Sequence, residues 1–269
     1  MPMSESMSSQ SVVVGIDGSQ AAAHAATWAA REASARGLPL RLVHVIAEEA
    51  AEAAPTQPDL GVEYAETVLR EVDLLLRENA SELKVETAMP HGPPGSALID
   101  ESRDSAMVCV GSVGIGCLSR AIFGSTAAEL AQGAHCPVAV IRAHGGTGAA
   151  RGWIAVAVDH TPGDDLLLEH AFREAQLRDA PILAIESQPW RRVGRHTLRI
   201  EYWASRYPGV RIRLTPLRRG LPDALGQIGE PVQLAVIGKH DADDVPRIVG
   251  PPDVGVSEPA GSSVLVVRD

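Results

Sequence analysis

The strongest constraint on this chain is an internal repeat. A continuous run of apolar, largely β-branched residues that ends in an aspartate occurs twice, as VVVGIDGS at 12–19 and as IAVAVDHT at 154–161. Asp17 and Asp159 are therefore equivalent positions, and an Ala- or Leu-rich helical pattern follows each of them. This repetition predicts two copies of one unit, each built on buried strands.

Three further pairs of apolar segments extend the repeat in the same order. They are RLVHVIAE and PILAIES, MVCVGS and LAVIGK, and PVAVIR and SVLVVR. A small-residue run with four glycines, HGGTGAARG, lies between the halves and suits a flexible joint. We expect a disordered tail at 1–11, a first domain at 12–143, a linker at 144–152 and a second domain at 153–269.

Short runs of Val, Ile and Leu alternate with helical patterns in the first copy. This alternation is typical of a parallel sheet covered by helices on both faces. We predict an α/β protein with two tandem doubly wound five-stranded parallel-sheet domains of strand order 3-2-1-4-5. Such sheets bind ligands beyond the carboxyl ends of their strands where the order reverses, here between strands 1 and 4.

A glycine-rich loop follows the fourth predicted strand. Its pattern G-x2-G-x9-G-S is formed by Gly111, Gly114, Gly124 and Ser125. Such loops hold phosphates through backbone N–H groups, because glycine allows close approach and positive φ angles. A helix that begins at Ser125 adds its dipole, and Thr126 adds a hydroxyl. Alternatively, the glycines only shape the loop, and Thr126 and Glu129 form a helix capping box.

The loop differs from two well-known phosphate-binding sequences. It contains no Gly-Lys-Ser/Thr of a Walker loop, and the whole chain has two lysines, Lys84 and Lys239. It follows strand 4, whereas the dinucleotide-binding fingerprint follows strand 1. A phosphate cradle without lysine favours binding over fast phosphoryl transfer.

With these features the chain resembles the tandem universal stress proteins, in the branch that binds ATP. The resemblance rests on VVVGIDGS, LRLVHVI at 40–46, the glycine loop and AHCPVAVIR at 134–142, and it covers nearly the whole chain. It implies one ATP, with Mg2+, in the first domain. It also implies that the copies pair through their last strands, PVAVIR and SVLVVR, and that the protein associates as a homo-oligomer, a dimer.

The resemblance implies a role for individual residues of the crevice. The residues expected to bind ATP are Gly15, Asp17, Val45, Val110, Gly111, Gly114, Gly124, Ser125 and Thr126. Asp17 is expected to contact the nucleoside, and the backbone of Val45 the adenine. No catalytic or metal-ligating residue is predicted. The loop departs from the family at Val113, Ile115 and Ala127, where polar or hydroxyl side chains are common, so we expect weaker ATP binding.

The second copy has lost the phosphate loop. Its corresponding segment contains three aspartates and three prolines, namely Asp241, Asp243, Asp244, Pro246, Pro251 and Pro252. Asp241 stands where Gly114 stands in the first copy, and its carboxylate repels a phosphate. The prolines remove N–H donors and discourage an ordinary helix start. Coordination of a divalent cation is the alternative, and we favour a degenerate, structural copy.

Composition excludes other classes. The formal net charge is −10, from 24 basic and 34 acidic residues, and aromatic residues make up 3%. Both values argue against nucleic-acid binding, which needs basic surfaces or aromatic platforms. The sequence shows neither a signal-peptide pattern nor an apolar run that could span a membrane, so we expect a cytoplasmic protein without membrane contact.

One segment has the opposite charge. Between 190 and 219, nine arginines accompany a single acidic residue, Glu201. The segment Arg191–Arg219 is either a solvated surface or a binding site for an acidic protein partner. Three functions remain open: an ATP-binding regulatory protein of the stress response, a nucleotide-free scaffold that acts through protein partners, and a slow ATPase.

Overall fold

Strands from both halves of the chain join in one continuous sheet. The computed structural model describes residues 10–47, 60–78, 82–114, 123–142, 152–158, 163–186, 196–216, 221–250 and 261–268. Within these residues ten strands form the sheet. Most of the predicted tail and nearly all of the predicted linker lie outside the described residues.

The described part of the first copy alternates strands with helices, as the sequence predicts. Its strands are β1 (Ser11–Gly15), β2 (Leu40–Val43), β3 (Val85–Ala88), β4 (Ser105–Gly111) and β5 (Val138–Ile141). Its helices are α1 (Gln20–Arg36), α2 (Leu60–Arg77), α3 (Pro94–Glu101) and α4 (Ser125–Gly133).

The described part of the second copy has the same alternation. Its strands are β6 (Trp153–Val158), β7 (Ile182–Glu186), β8 (Ile212–Pro216), β9 (Val232–Gly238) and β10 (Ser263–Val267). Its helices are α5 (Asp164–Leu177), α6 (His196–Arg206), α7 (Leu221–Gln227) and α8 (Val245–Val249), with a 3-10 helix at Lys239–Asp244 before α8.

The spatial order of the strands confirms the predicted α/β fold. The order is β3-β2-β1-β4-β5 in the first copy, and the second copy repeats it as β8-β7-β6-β9-β10. All pairings within a copy are parallel. The copies meet where β5 pairs with β10 antiparallel, with Val140 opposite Val264 and Val138 opposite Val266. The last strands therefore pair as expected, and they make one sheet from two.

Alanine brings α1 close to the sheet. The helix starts where the side chain of Ser19 accepts the N–H of Ala22 at 3.1 Å, and it ends at Gly37, whose φ of 64° closes the last turn. The buried face of the helix consists of Ala21, Ala22, Ala25, Ala26, Ala29, Ala30, Glu32 and Ala33. Small side chains let the helix backbone approach the strands, so α1 lies directly against β1 and β4.

Two apolar cores lie on opposite faces of the sheet. One packs α1 and α2 together with α5 and α6. The other packs α3 and α4 together with α7 and α8. Each core contains residues of both copies, so burial of apolar surface holds the halves together on both faces. Among the described helices, none is long and apolar enough to cross a membrane.

A buried charge cluster lies where α1 meets α5. Repeat-equivalent residues form it, Glu32 with Arg36 from α1, and Glu174 from α5 with Arg178 directly after that helix. Arg178 lies 3.0 Å from Glu32 and 2.5 Å from Glu174, and the carboxylates are at most 1% exposed. Burial, with repulsion from Glu32, raises the pKa of Glu174 to about 8, and the arginines only partly offset this. Glu174 is therefore protonated at neutral pH.

This protonation makes stability depend on pH. Because the folded pKa of Glu174 exceeds its ordinary value of 4.5, the stabilisation is complete below that value and is lost as pH rises through about 8. We expect Glu174→Gln to flatten the fall of Tm between about pH 6.5 and about pH 8.5, measured by scanning calorimetry. Below this window His170 titrates as well, since burial lowers its pKa to about 4.

The control for this experiment is Glu169→Gln. Glu169 lies on the same helix, half-exposed, and pairs with Arg173 at 3.0 Å. We expect this variant to keep the wild-type slope of Tm against pH. An equal slope in wild type and Glu174→Gln would show that Glu174 does not bind the stabilising proton.

Candidate functional site

The candidate site lies at the carboxyl ends of β1 and β4, where the strand order reverses. Gly15 ends β1 and packs tightly, since a Cβ there would lie 2.9 Å from the side chain of Leu98 on α3. Val110 precedes the end of β4 and is buried. The side chain of Val110, and the side of Gly15 that faces Leu98, therefore belong to the core beneath the crevice. Only the backbone of these two residues lies near the crevice.

Asp17 is held at the mouth of the crevice. One carboxylate oxygen, Oδ1, accepts the backbone N–H of Ser19 at 2.9 Å. The turn passes through Gly18, whose φ of 87° favours glycine. The other oxygen, Oδ2, faces Gly114, because a Cβ on Gly114 would lie 2.7 Å from it. The structure thus brings Asp17 and Gly114 together, as the predicted nucleoside and phosphate positions require.

Gly111 has a packing role that the motif alone does not reveal. A Cβ at this position would lie 2.8 Å from the backbone carbon of Ala21 at the start of α1. Real Cβ atoms do not approach backbone so closely, so any side chain would push α1 away from the end of β4. Gly111 therefore sets the spacing of strand and helix under the crevice.

The N-terminus of α4 opens toward the loop. Its N-cap is Gly124, which makes no side-chain cap and whose N–H donates to the carbonyl of Ser112 at 2.9 Å. The capping box of Thr126 and Glu129 is therefore absent, because Thr126 lies inside the helix. The first turn carries no acidic residue. The N–H groups of Ser125 and Thr126 are thus donors that the helix itself leaves without a partner.

A tyrosine and a histidine form the wall next to Asp17. The hydroxyl of Tyr64 on α2 donates to the backbone carbonyl of Asp17 at 3.2 Å. The rings of Tyr64 and His44 meet edge to face at 5.7 Å, and His44 Nδ1 lies 2.8 Å from the carbonyl of Ile16. Val45 is half-buried beside them. Sequence analysis missed Tyr64, and its only signal was an aromatic side chain in a chain with few.

Residues 115–122 lie outside the described residues, and they include Ile115. Of the other two departures from the family pattern, Val113 is half-buried, and the side chain of Ala127 is buried in the core beside α3. Ala127 thus adds its N–H to the start of α4 and packs its side chain inward.

In the second copy a compact helical segment replaces the loop. The 3-10 helix Lys239–Asp244 follows β9 directly, and Ala242 and Val245 are buried. Asp243 accepts the side-chain amide of Gln132 at 2.6 Å, and Asp244 pairs with Arg247 at 3.2 Å. Asp159, Pro251 and Pro252 lie outside the described residues.

The expectation that Pro246 discourages a helix start was wrong. The helix α8 does begin at Val245, with Pro246 in its first turn. A helix leaves its first N–H groups without a partner, so a missing N–H costs little there. Among the described residues no group of three or more His, Cys, Asp or Glu side chains is placed to hold a metal ion.

Several arginines of the basic segment are engaged within the chain. Arg199 pairs with Asp165 at 3.1 Å, and Arg206 lies over the rings of Tyr202 and Trp203. Arg213 pairs with Glu230 at 2.5 Å and covers the ring of Trp153. Arg211 is also among the described residues. The other five arginines of the segment lie outside them, namely Arg191, Arg192, Arg195, Arg218 and Arg219.

Comparisons with known proteins agree with this fold. The universal stress protein family model matches residues 9–142. Universal stress protein Rv2624c of Mycobacterium tuberculosis is 43% identical over 264 residues, which cover 96% of each chain. A universal stress protein of Archaeoglobus fulgidus has a similar structure, with a TM-score of 0.70 and 16% identity over 97% of this chain and 96% of its own.

A shorter solved structure covers about half of the chain. It is a universal stress protein in complex with cAMP, with 26% identity and a TM-score of 0.39 over 51% of this chain and 98% of its own. The whole-length match to a curated relative, together with the shared α/β architecture, decides the family. The chain belongs to the universal stress protein family.

Proposed function

We propose that the first copy binds one ATP per chain, with Mg2+, and that the protein is a nucleotide-responsive regulator of the stress response. The observation that carries this proposal is the contact of Asp17 with Gly114 at the switch point. A side chain at Gly114 would occupy the space beside the Asp17 carboxylate. The loop backbone just before Gly114 meets the uncapped start of α4, because the N–H of Gly124 donates to the carbonyl of Ser112, and such a helix start favours a phosphate.

Each expected residue has a place in this proposal. Asp17 would contact the nucleoside, and the backbone of Val45 would contact the adenine next to the ring of Tyr64. The backbone of Gly114 and Gly124 and the first turn of α4 at Ser125 and Thr126 would hold the phosphates. Gly111, Gly15 and Val110 would shape the floor, since two of them are the close contacts that set the positions of α1 and α3.

The second copy is proposed as a degenerate, structural domain. Its 3-10 helix occupies the position of the phosphate loop and buries Ala242 there. The carboxylates of Asp241, Asp243 and Asp244 add negative charge, which disfavours a phosphate. Domain bounds of 12–143 and 153–269 belong to the same proposal, as do a cytoplasmic location and self-association as a homodimer.

Two other functions stay as alternatives. A nucleotide-free scaffold would act through an acidic partner on Arg191–Arg219. The intramolecular contacts of Arg199, Arg206 and Arg213 weaken this reading, because they already neutralise or cover those guanidinium groups. A slow ATPase is the other alternative.

The Gly114→Asp variant tests the binding site. It copies the residue of the second domain, and its side chain would collide with the Asp17 carboxylate and add a like charge. We expect wild type to bind one Mg-ATP per chain and the variant to bind at least about tenfold more weakly, a loss of ~1.4 kcal/mol. Isothermal titration calorimetry measures both the affinity and the stoichiometry.

Gly209→Asp is the matched control. It makes the same change of charge at an exposed position of the second copy, where a Cβ has nothing within 4 Å. We expect this variant to bind ATP as wild type does. Wild type that binds no ATP at millimolar concentration would refute the proposed site, and two ATP per chain would refute the degenerate second copy.

The rate of ATP hydrolysis distinguishes an ATP-binding protein from a slow ATPase. Residues 111–126 contain no lysine, and a phosphate loop without one lacks a usual stabiliser of transferred phosphate. We expect steady-state ATP hydrolysis below about one per minute. A phosphate-release assay measures it with wild type and Gly114→Asp. Faster turnover that disappears in the variant would favour the ATPase alternative.

A further inference from the structure

The two arginines that follow the last strands of the copies make reciprocal contacts across the seam. Arg142 comes directly after β5, and Arg268 comes directly after β10. Because these strands run antiparallel, each arginine lies next to a helix of the other copy. Arg268 lies next to α4, and Arg142 lies next to α8. Both side chains are buried, at 5% and 8% exposure for the residues.

Arg268 of the second copy reaches the C-terminal end of α4. Its Nη2 donates to the carbonyl of Leu130 at 3.1 Å and to that of Ala131 at 2.5 Å. The Leu130 carbonyl also accepts the N–H of Ala134 at 3.1 Å, whereas the Ala131 carbonyl lies in the last turn of this nine-residue helix, where a helix leaves carbonyls without a partner of its own. A cation at this end also interacts favourably with the helix dipole.

Arg142 of the first copy makes the corresponding contact in the other direction. Its Nη1 donates to the carbonyl of Val249 at the end of α8, and its backbone N–H donates to the hydroxyl of Ser263 at 3.1 Å. No side chain fits at Gly261, because its Cβ would overlap the Arg142 guanidinium and the Val249 carbonyl. The two arginines thus form a matched pair, in which Arg268 donates to carbonyls of α4 and Arg142 donates to the carbonyl at the end of α8.

A second contact joins α4 to the replaced loop of the second copy. Gln132, one residue before the end of α4, donates to Asp243 in the 3-10 helix at 2.6 Å. Leu130 and Ala131 also lie in the same apolar core as Val245, Ile248 and Val249. The second copy therefore holds α4 at the end opposite its N-terminal N–H groups.

We propose that Arg268 is a positioning residue for the nucleotide site of the first copy, and that the second copy regulates this site through α4. The guanidinium fixes the C-terminal carbonyls of the helix, and a rigid nine-residue helix transmits that restraint to the N–H groups of Ser125 and Thr126. This inference rests on the proposed function, since it names how ATP binding at that site is regulated. Loss of the second copy's hold on α4 weakens phosphate binding without touching any residue of the crevice.

The test compares Arg268→Leu with Arg142→Leu as its matched control. Hydrogen exchange of the ATP-free proteins is measured over residues 125–133, and ATP affinity is measured by calorimetry. We expect Arg268→Leu to accelerate exchange in α4 about tenfold and to weaken ATP binding at least about fivefold, the lower end of typical coupling between sites. Arg142→Leu should accelerate exchange in α8 and leave ATP affinity within about twofold.

The two readouts separate this inference from the proposed function. If wild type binds no ATP, the proposed function fails, and exchange in α4 alone decides whether Arg268 positions the helix. Unchanged exchange in α4 of folded Arg268→Leu would overturn the proposal. Faster exchange in α4 with unchanged ATP affinity would equally overturn it, because the restraint would not reach the site.

A measurement on wild type serves if Arg268→Leu does not fold. Coupling between two sites is reciprocal, so ATP must also restrain the elements that hold α4. We expect ATP to slow exchange in residues 245–249 and 261–268 of the second copy. Protection by ATP that stops at α4 would overturn the proposal.

Discussion

Antiparallel pairing of β5 with β10 is the interaction on which the rest of this structure depends. A parallel five-stranded sheet ends in an open edge, and each copy covers that edge with the other's last strand. The pairing places α1 against α5 on one face and α4 beside α8 on the other. Two arrangements of repeat-equivalent residues follow from this single seam. It brings Glu32 and Glu174 to one buried cluster, and it lets Arg142 and Arg268 each reach a helix of the other copy.

The crevice depends on close backbone approach. Gly111 allows α1 to touch the end of β4, and Gly114 leaves room for the Asp17 carboxylate. The alanine face of α1 extends the same principle along the helix, because a larger residue would move Ser19 and its turn away from the sheet. The two copies therefore differ in structure at one local position. One keeps glycine beside its aspartate, and the other fills that position with a 3-10 helix.

Sequence periodicity predicted a parallel sheet covered on both faces, because strands buried on both faces appear as continuous apolar runs. The same reasoning placed Asp17 and the glycine loop at one crevice, and Asp17 does lie against Gly114. It misjudged Pro246, since position within the first turn decides whether proline is tolerated. It missed Tyr64, whose contact with Asp17 spans 47 positions and sits on a half-exposed helix face. No local pattern distinguishes that tyrosine from a surface residue.

The sequence by itself determined the repeat, the alternation of strands and helices that makes an α/β architecture, and the chain position of the glycine loop. These properties are local, because periodicity and loop composition are decided by neighbouring residues. Only the tertiary structure decided that Glu32 and Glu174 share a buried site, that Arg268 holds the far end of α4, and that Gly111 is a packing contact with Ala21. Those facts depend on distances between residues remote in sequence and on charges withdrawn from water, which no local pattern encodes.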